Sequence, residues 1–406
     1  MKHKNKPPRL DGVTVLQVTP ALETGGAERT TLEVGKALVD AGARSLVVSE
    51  GGPMVAQLEA EGSRHIPLPA ASKNPLTLWQ NRGRLMKIVQ EAGVHIVHAR
   101  SRAPAWSALW AARAAGVRFV TTYHGIYNAK TAPKRLYNSA MARGDRVIAN
   151  SRFTAEAVAA IYGQAPFFDA GKMVTIPRGA DLSRFDPVAL SEDRRNAALG
   201  AVGGEGAFRV LLPGRLTGWK GQMVLIEAAR LLQAKEPGTA LRYVMIGSAQ
   251  GRDGYAESLS AAIKEAGLAN AIHIHGHWDD MPAAYDWADV TLSTSTRPEA
   301  FGRVAIEAQA MGCPVIASAH GGALETVAEG QTGLLVQPGD ERALADAVLS
   351  LLTMPPEARK TMGNQALSRA RDHFSTEAMT AATLSVYKLL VNDVGQDVVQ
   401  KGVKSP

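Results

Sequence analysis

The feature that most constrains this chain is a phrase repeated along its length: a short run rich in β-branched residues, a turn, then a longer amphipathic stretch with helical spacing. VTVLQV (13–18) leads into GGAERTTLEVGKALVDAG, which reads as a helix stopped by Gly42, and ARSLVVS (43–49) reads as the next strand. This βαβ unit continues through the helix LWQNRGRLMKIVQEAG, the strand HIVHA, the helix APAWSALWAARAAG and the strands RFVTTYH and DRVIAN. Runs this short and this apolar fit a parallel sheet buried under helices on both faces. Other architectures fall away, because the glycines fall between apolar runs rather than in repeats. No window reaches the ~18 uncharged apolar residues needed to cross a bilayer.

A second series follows SEDRRNAALGAVGGEGA (191–207), a polar, glycine-rich stretch that reads as a linker. It runs through FRVLLPG (208–214), GQMVLIEAARLLQ, RYVMIGS, YAESLSAAIKEAGL, AIHIHG, PAAYDWA, DVTLST, RVAIEAQAMG, PVIAS and GLLVQ. At 406 residues the chain is too long for one ordinary core and suits two domains. The expected organisation is α/β, with two Rossmann-like doubly wound domains facing a cleft. The domains are 1–190 and 208–375, joined by 191–207, with 376–406 forming a last helix, STEAMTAATLSVYKLLVNDV, that can pack on either domain, and a tail. Ligands of open α/β sheets bind at the carboxyl ends of the strands.

Charge is placed unevenly. Residues 1–187 carry 25 Lys and Arg against 14 Asp and Glu, a net +11, whereas the remainder carries −4. No carboxylate lies between Glu91 and Asp145, where Arg100, Arg102, Arg113, Arg118, Lys130, Lys134, Arg135 and Arg143 fall. Such a segment is either ordinary helix-surface charge or a surface for an anionic membrane or acceptor, to which Arg113, Arg118, Lys130, Lys134 and Arg135 are assigned. Nucleic acid is not an expected partner, since interleaved aromatics and recognised binding patterns are missing. The leader MKHKNKPPRL has no signal-peptide apolar region, and the single cysteine, Cys313, fits a reducing compartment, so the expected location is cytoplasmic.

Several residues can carry chemistry. Gly25 and Gly26 open the first helix, where backbone N–H groups can approach a phosphate, and they are assigned with Phe301 and Gly302 to the donor diphosphate, although a plain tight turn fits equally well. In LLPGRLTGWKGQ, Arg215 stands at a strand end and Lys220 just before a helix, a pair suited to a diphosphate. In STSTRPEAFGRVAIEAQAMG, Glu299 and Glu307 flank Phe301 and Gly302: carboxylates suit sugar hydroxyls and the helix start suits phosphate. His273, His275 and His277 alternate along a strand, but no second cluster completes a zinc set, so no metal is expected. Asp280 reads as a helix cap.

The ordered set TGGAER, HIVHARS, TTYHG, DRVIANSRFTAE, IPRGADLSRFDP, PGRLTGWKG, VMIGSA, IHGHWDDMPAAYDWADV, RPEAFGRVAIEAQAMGCPVIAS and GGALETVAEGQTGLLVQPGD resembles a family-four retaining glycosyltransferase of the GT-B fold over nearly the whole length. The resemblance implies that the C-terminal domain holds a nucleotide-sugar donor and the N-terminal domain an acceptor. Arg215 and Lys220 then match the diphosphate-binding pair, Glu307 the ribose-binding glutamate, Glu299 the one near the transferred sugar, and His124 the active-site histidine. The last helix commonly crosses back to the first domain in that family. Arg178 and Arg100 depart from the family pattern, which more often has asparagine and a second histidine there. Glu325 matches a recurrent position.

Transfer from a sugar diphosphate requires the leaving group to be stabilised as an oxocarbenium-like centre develops. No D-x-D pair occurs, so Arg215, Lys220 and helix N-termini are expected to supply the charge, with no cofactor beyond the donor substrate. The leading expectation is transfer to an anionic membrane glycolipid, such as lipopolysaccharide core, by a protein peripheral on the inner face of the cytoplasmic membrane. The alternative is a soluble phosphorylated acceptor, and a nonenzymatic nucleotide-sugar-binding protein is a distant third.

Overall fold

The computed structural model of the chain describes residues 7–402 apart from Thr24, Gln250 and Arg252, with backbone alone at Asp253 and 393–402. The leading MKHKNK and the threonine of TGGAER lie outside the described residues. The chain divides into two compact units: Met1–Pro177 with Thr376–Pro406, and Arg178–Ser375.

The first unit is built on seven strands: β1 (Thr14–Val18), β2 (Arg44–Ser49), β3 (Arg64–Pro67), β4 (Ile96–Ala99), β5 (Arg118–Tyr123), β6 (Arg146–Ala149) and β7 (Met173–Thr175). Their order is β3-β2-β1-β4-β5-β6-β7, and every neighbouring pair is parallel. Successive residues of a strand enter opposite cores. Leu16, Val18, Val97 and Phe119 pack with Leu85 and Leu109 from helices Pro75–Glu91 and Arg102–Ala115. Val15, Ile96, Val120 and Ile148 pack with Leu38 of helix Gly26–Asp40 and with Leu384, Tyr387 and Leu390 of helix Thr376–Gly402. Burial on both faces is why these strands read as continuous apolar runs.

The second unit repeats the design with β8 (Phe208–Pro213), β9 (Leu241–Ile246), β10 (Ile272–Gly276), β11 (Val290–Ser293), β12 (Val315–Ser318) and β13 (Gly333–Val336). These parallel strands run β10-β9-β8-β11-β12-β13. Helices Gln222–Lys235 and Glu341–Thr353 bury Leu225, Leu232, Leu344 and Leu351 against Val210 and Leu212. Ala284 and Ala308, from helices Met281–Trp287 and Arg303–Ala310, pack with Leu211 and Val315 in the other core.

Two expected boundaries need correction. Residues 178–190 belong to the second unit rather than the first, because Phe185 and Leu190 are buried in its core. Residues 191–207 are not a free linker: Glu192–Val202 is a helix, Ser191 accepts from the Arg194 N–H at its start, and Ala198 and Val202 are buried in the same core.

Candidate active site

In both sheets the strand order reverses direction at one place, between β1 and β4 in the first and between β8 and β11 in the second. Connections leave the sheet in opposite senses there, so loops at the carboxyl ends part and leave a crevice. Most of the residues assigned to chemistry from the sequence follow one of these strand ends.

In the second unit, the loop after β8 carries Arg215 and Lys220, and the loop after β11 carries Ser295 and Glu299. Lys220 Nζ lies 2.8 Å from Glu299 Oε1, both side chains being largely buried. The Ser295 hydroxyl donates to the same Glu299 oxygen, and His320 Nε2 meets the Ser295 carbonyl at 2.8 Å. The Lys220 ammonium also lies 4.7 Å above the Trp219 ring. Gly221 permits this closeness: its φ of +86° is left-handed, and a Cβ there would collide with the Thr294 backbone carbonyl. Arg215 is exposed, and its carbonyl accepts from Gln222 Nε2 at 3.0 Å.

Glu307 lies on helix Arg303–Ala310. The Tyr285 hydroxyl donates to Oε2 at 3.0 Å, and Arg303 Nη2 lies 3.0 Å from Oε1. Burial, and then the neighbouring Glu307, push the Tyr285 phenol well above its ordinary range, so it stays a donor. Gly302 caps the helix with φ of +83° and leaves the first-turn N–H groups without a side-chain cap. Phe301 points its ring into a buried cluster with Ala180, Ile306 and Phe374, so only its backbone is available to a ligand. A small recess is lined by Ser293, Ser295, Glu299, Gly302, Ser318 and His320.

In the first unit, a pocket of about 250 Å³ opens at the switch point. Thr19 and Pro20 follow β1, Arg100 and Ser101 follow β4, and His124 to Tyr127 follow β5; Ala27 and Glu28 complete the lining. The His124 carbonyl accepts from Asn150 Nδ2 at 3.2 Å. Gly25 and Gly26 open the helix beside this pocket, not in the loop with Arg215 and Lys220. The Glu28 carboxylate folds into the space a Cβ on Gly25 would fill, placing negative charge at the helix N-terminus.

The basic segment does not form one surface. Arg113 Nη1 donates to both Asp145 carboxylate oxygens, at 2.8 and 3.0 Å, and Nη2 donates to the Arg143 carbonyl, so it is a local brace. Arg113 ends a helix and Arg118 begins β5, which places both at the amino ends of the strands, away from His124. Lys130, Lys134 and Arg135 follow the carboxyl end of β5 and are exposed beside exposed Ile126 and Leu136. Asp280 caps helix Met281–Trp287 and pairs with Arg194 at 2.6 Å. Among the described residues no three His, Cys, Asp or Glu side chains come together as metal ligands, and His275 stacks on Trp278.

Sequence reading missed Thr19, Glu28, Ser295, His320 and Tyr285 as neighbours of the site. Ser295 and His320 come just after strand ends, a signal that could have found them.

Comparison with known proteins agrees with this fold. Residues 203–369 match the family described as glycosyl transferases group 1, and residues 24–184 match glycosyltransferase family 4. A glycosyltransferase from Rickettsia africae is 35% identical, with a TM-score of 0.83, covering 93% of this chain and 98% of that one. Anabaena HepE in complex with UDP-glucose is 26% identical, with a TM-score of 0.73, covering 92% and 99%. A D-inositol 3-phosphate glycosyltransferase of Paenarthrobacter aurescens is 32% identical over 250 residues, 61% of this chain. The chain spans less than two thirds of that relative, 58% of its length. Two doubly wound units with polar crevices at their switch points define the GT-B class, and the chain belongs to its group 1 and family 4 glycosyltransferases.

Proposed function

We propose that the protein moves a glycosyl group from a nucleotide-diphosphate sugar to a small phosphorylated acceptor, with retention at the anomeric carbon. The observation that carries the donor half is the cluster of Lys220, Glu299 and Ser295 at the carboxyl ends of β8 and β11, with Glu307 on the helix that follows. Arg215, Lys220 and the uncapped first turn after Gly302 supply positive potential for a leaving diphosphate. Glu307 has lone pairs left for a ribose hydroxyl pair beyond those used by Tyr285 and Arg303. Glu299 takes hydroxyls of the transferred sugar, and a diphosphate draws Lys220 away from it. His124 faces the acceptor pocket. Support for a nucleoside-diphosphate donor comes from the Anabaena relative bound to UDP-glucose, and for a phosphorylated acceptor from the relative named for D-inositol 3-phosphate.

A glycolipid acceptor on an anionic membrane is the second reading, favoured by the exposed Ile126, Lys130, Lys134, Arg135 and Leu136. No described helix is long and apolar enough to cross a membrane. The test is a panel of UDP-, GDP- and ADP-sugars assayed for binding and slow hydrolysis, then for transfer to phosphorylated and unphosphorylated acceptors. Binding of one donor class is expected, and transfer only to phosphorylated acceptors. Failure to bind any nucleotide sugar would remove the proposal.

A further inference from the structure

Arg100 stands out among the cations of this chain. It follows β4 and is 2% exposed, yet it lines the pocket of the first unit. Its Nε and Nη2 have no hydrogen-bond partner among the described residues. Buried charges are ordinarily paired, and a desolvated cation with unmatched N–H groups is strongly unfavourable. A guanidinium cannot escape by losing its proton. Burial does press its pKa down, with Tyr387 and Glu33 opposing the shift. His98, two residues earlier on the same face of β4, gives no relief: it is hydrogen-bonded to the Tyr387 hydroxyl and to Thr122 Oγ1, and carries no negative charge.

Two further observations point the same way. Thr19 Oγ1, fully buried, lines the same pocket and is also without a partner. Ser101 begins helix Arg102–Ala115 without a side-chain cap, so the first-turn N–H groups of a 14-residue helix are not satisfied by it. Glu28 is the one carboxylate in the lining, and neither Nε nor Nη2 of Arg100 hydrogen-bonds to it. A planar cationic fork, a hydroxyl and an uncapped helix start form a donor set that matches a phosphoryl group.

We infer that Arg100, Thr19 and the first turn of helix Arg102–Ala115 form a phosphate subsite, which holds the phosphoryl group of the acceptor. Calling the ligand an acceptor rests on the transferase reading above; phosphate binding itself does not. The phosphate can come from a soluble ester or from a lipid head group, and the same guanidinium would read either. Glu28 and His124 are left to face the hydroxyl-bearing part of the molecule.

The experiment is calorimetric titration of the full chain with inorganic phosphate, D-inositol 3-phosphate and unphosphorylated inositol. Cosedimentation with phosphatidylglycerol and phosphatidylcholine vesicles runs alongside, on wild type, Arg100→Met, Arg100→Lys and Thr19→Val. Saturable binding of both phosphates is expected, weakened roughly 10- to 100-fold in Arg100→Met, less in Arg100→Lys, and several-fold in Thr19→Val, with inositol alone unaffected. Arg100→Met should melt no lower than wild type, because a buried guanidinium with two unmatched N–H-bearing nitrogens has gone. If Arg100 governs the soluble ester and not vesicle binding, the source is the free ester; dependence of phosphatidylglycerol binding alone identifies the head group. No phosphate or phosphatidylglycerol binding by wild type, or equal binding by wild type and Arg100→Met, would overturn the subsite. Should Arg100→Met fail to fold, unchanged phosphate affinity in Thr19→Val and Arg100→Lys would overturn it as well. Titration of wild type with the UDP-, GDP- and ADP-sugar panel keeps the readings apart, since binding of none of these donors with intact phosphate binding sinks the transferase and spares the subsite.

Discussion

Replacing Lys220 by methionine separates what the ammonium does for the fold from what it does for the reaction. Nζ and Glu299 Oε1 are 2.8 Å apart, with side chains 13% and 24% exposed. At an effective dielectric of about 20 their gross attraction is about 6 kcal/mol. Desolvation of both groups offsets much of it, and the Ser295 hydroxyl remains on Glu299 after the change. A net loss of about 2–3 kcal/mol follows, below the range for a fully buried pair. For a unit of this size that lowers the melting midpoint by about 4–12 °C. Adding Glu299→Gln should restore at least half of the midpoint, because a neutral amide is no longer an unpaired charge. Turnover should fall roughly 10² to 10³ in Lys220→Met and stay low in the double variant, since neither carries the cation that meets the diphosphate. The assays are thermal unfolding and donor-consumption kinetics on the same preparations. Turnover within threefold of wild type in folded Lys220→Met would refute the diphosphate role, and a double variant no more stable than the single would refute the coupling.

Activity is expected to persist in excess EDTA, because Arg215, Lys220 and a helix start stand where the leaving group's charge must be met; loss reversed by Mn²⁺ or Mg²⁺ would contradict this. Burial first, and Arg100 second, hold the His98 imidazole well below its usual range, so it is neutral in the folded chain. The unfolded chain takes up a proton below about pH 6.5 that the native state refuses; stability is therefore full above that pH and falls by about 1.4 kcal/mol per unit below it. The stability gap between wild type and His98→Gln should narrow from pH 7.5 to 5.5, as read by denaturant melts, and a gap independent of pH would exclude the effect. Arg113→Ala should cost about 1 kcal/mol through Asp145 and leave salt-sensitive binding to anionic vesicles unchanged, whereas Lys134→Glu with Arg135→Glu should weaken it.

Buried parallel strands announce themselves in sequence, which is why β1, β2, β4, β5, β6 and β8 to β13 could be read as apolar runs. The edge strands β3 and β7 could not. RHIP and MVT are short and only partly buried, the form in which sheets protect their margins. Helix Glu192–Val202 was hidden because only Ala198 and Val202 are buried, too few to mark a period, and glycines follow it. In the site, the places of Lys220 and Glu299 were legible because each stands in a strand-to-helix loop, and that of Glu307 because it lies on the helix that follows. Thr19 and Glu28 were not, since strand order rather than spacing brings them together with Arg100 and His124; Ser295 and His320 offered only their places just after strand ends. Arg113 shows the converse: sequence presents a cation, and the fold supplies Asp145 from 32 residues away.

The first unit is discontinuous, closed by residues 376 onward, and this orders events during synthesis. A ribosome that has released residues 1–177 has made all seven strands of the sheet, yet Val15, Ile96, Val120 and Ile148 still lack Leu384, Tyr387 and Leu390. The second unit, continuous in the chain, has every residue of its core available earlier. The part made first is thus completed last. For the time needed to translate about 200 residues at roughly 5–20 per second, an apolar sheet face waits for its cover, and nascent chains at that stage are where a holdase chaperone would find its substrate.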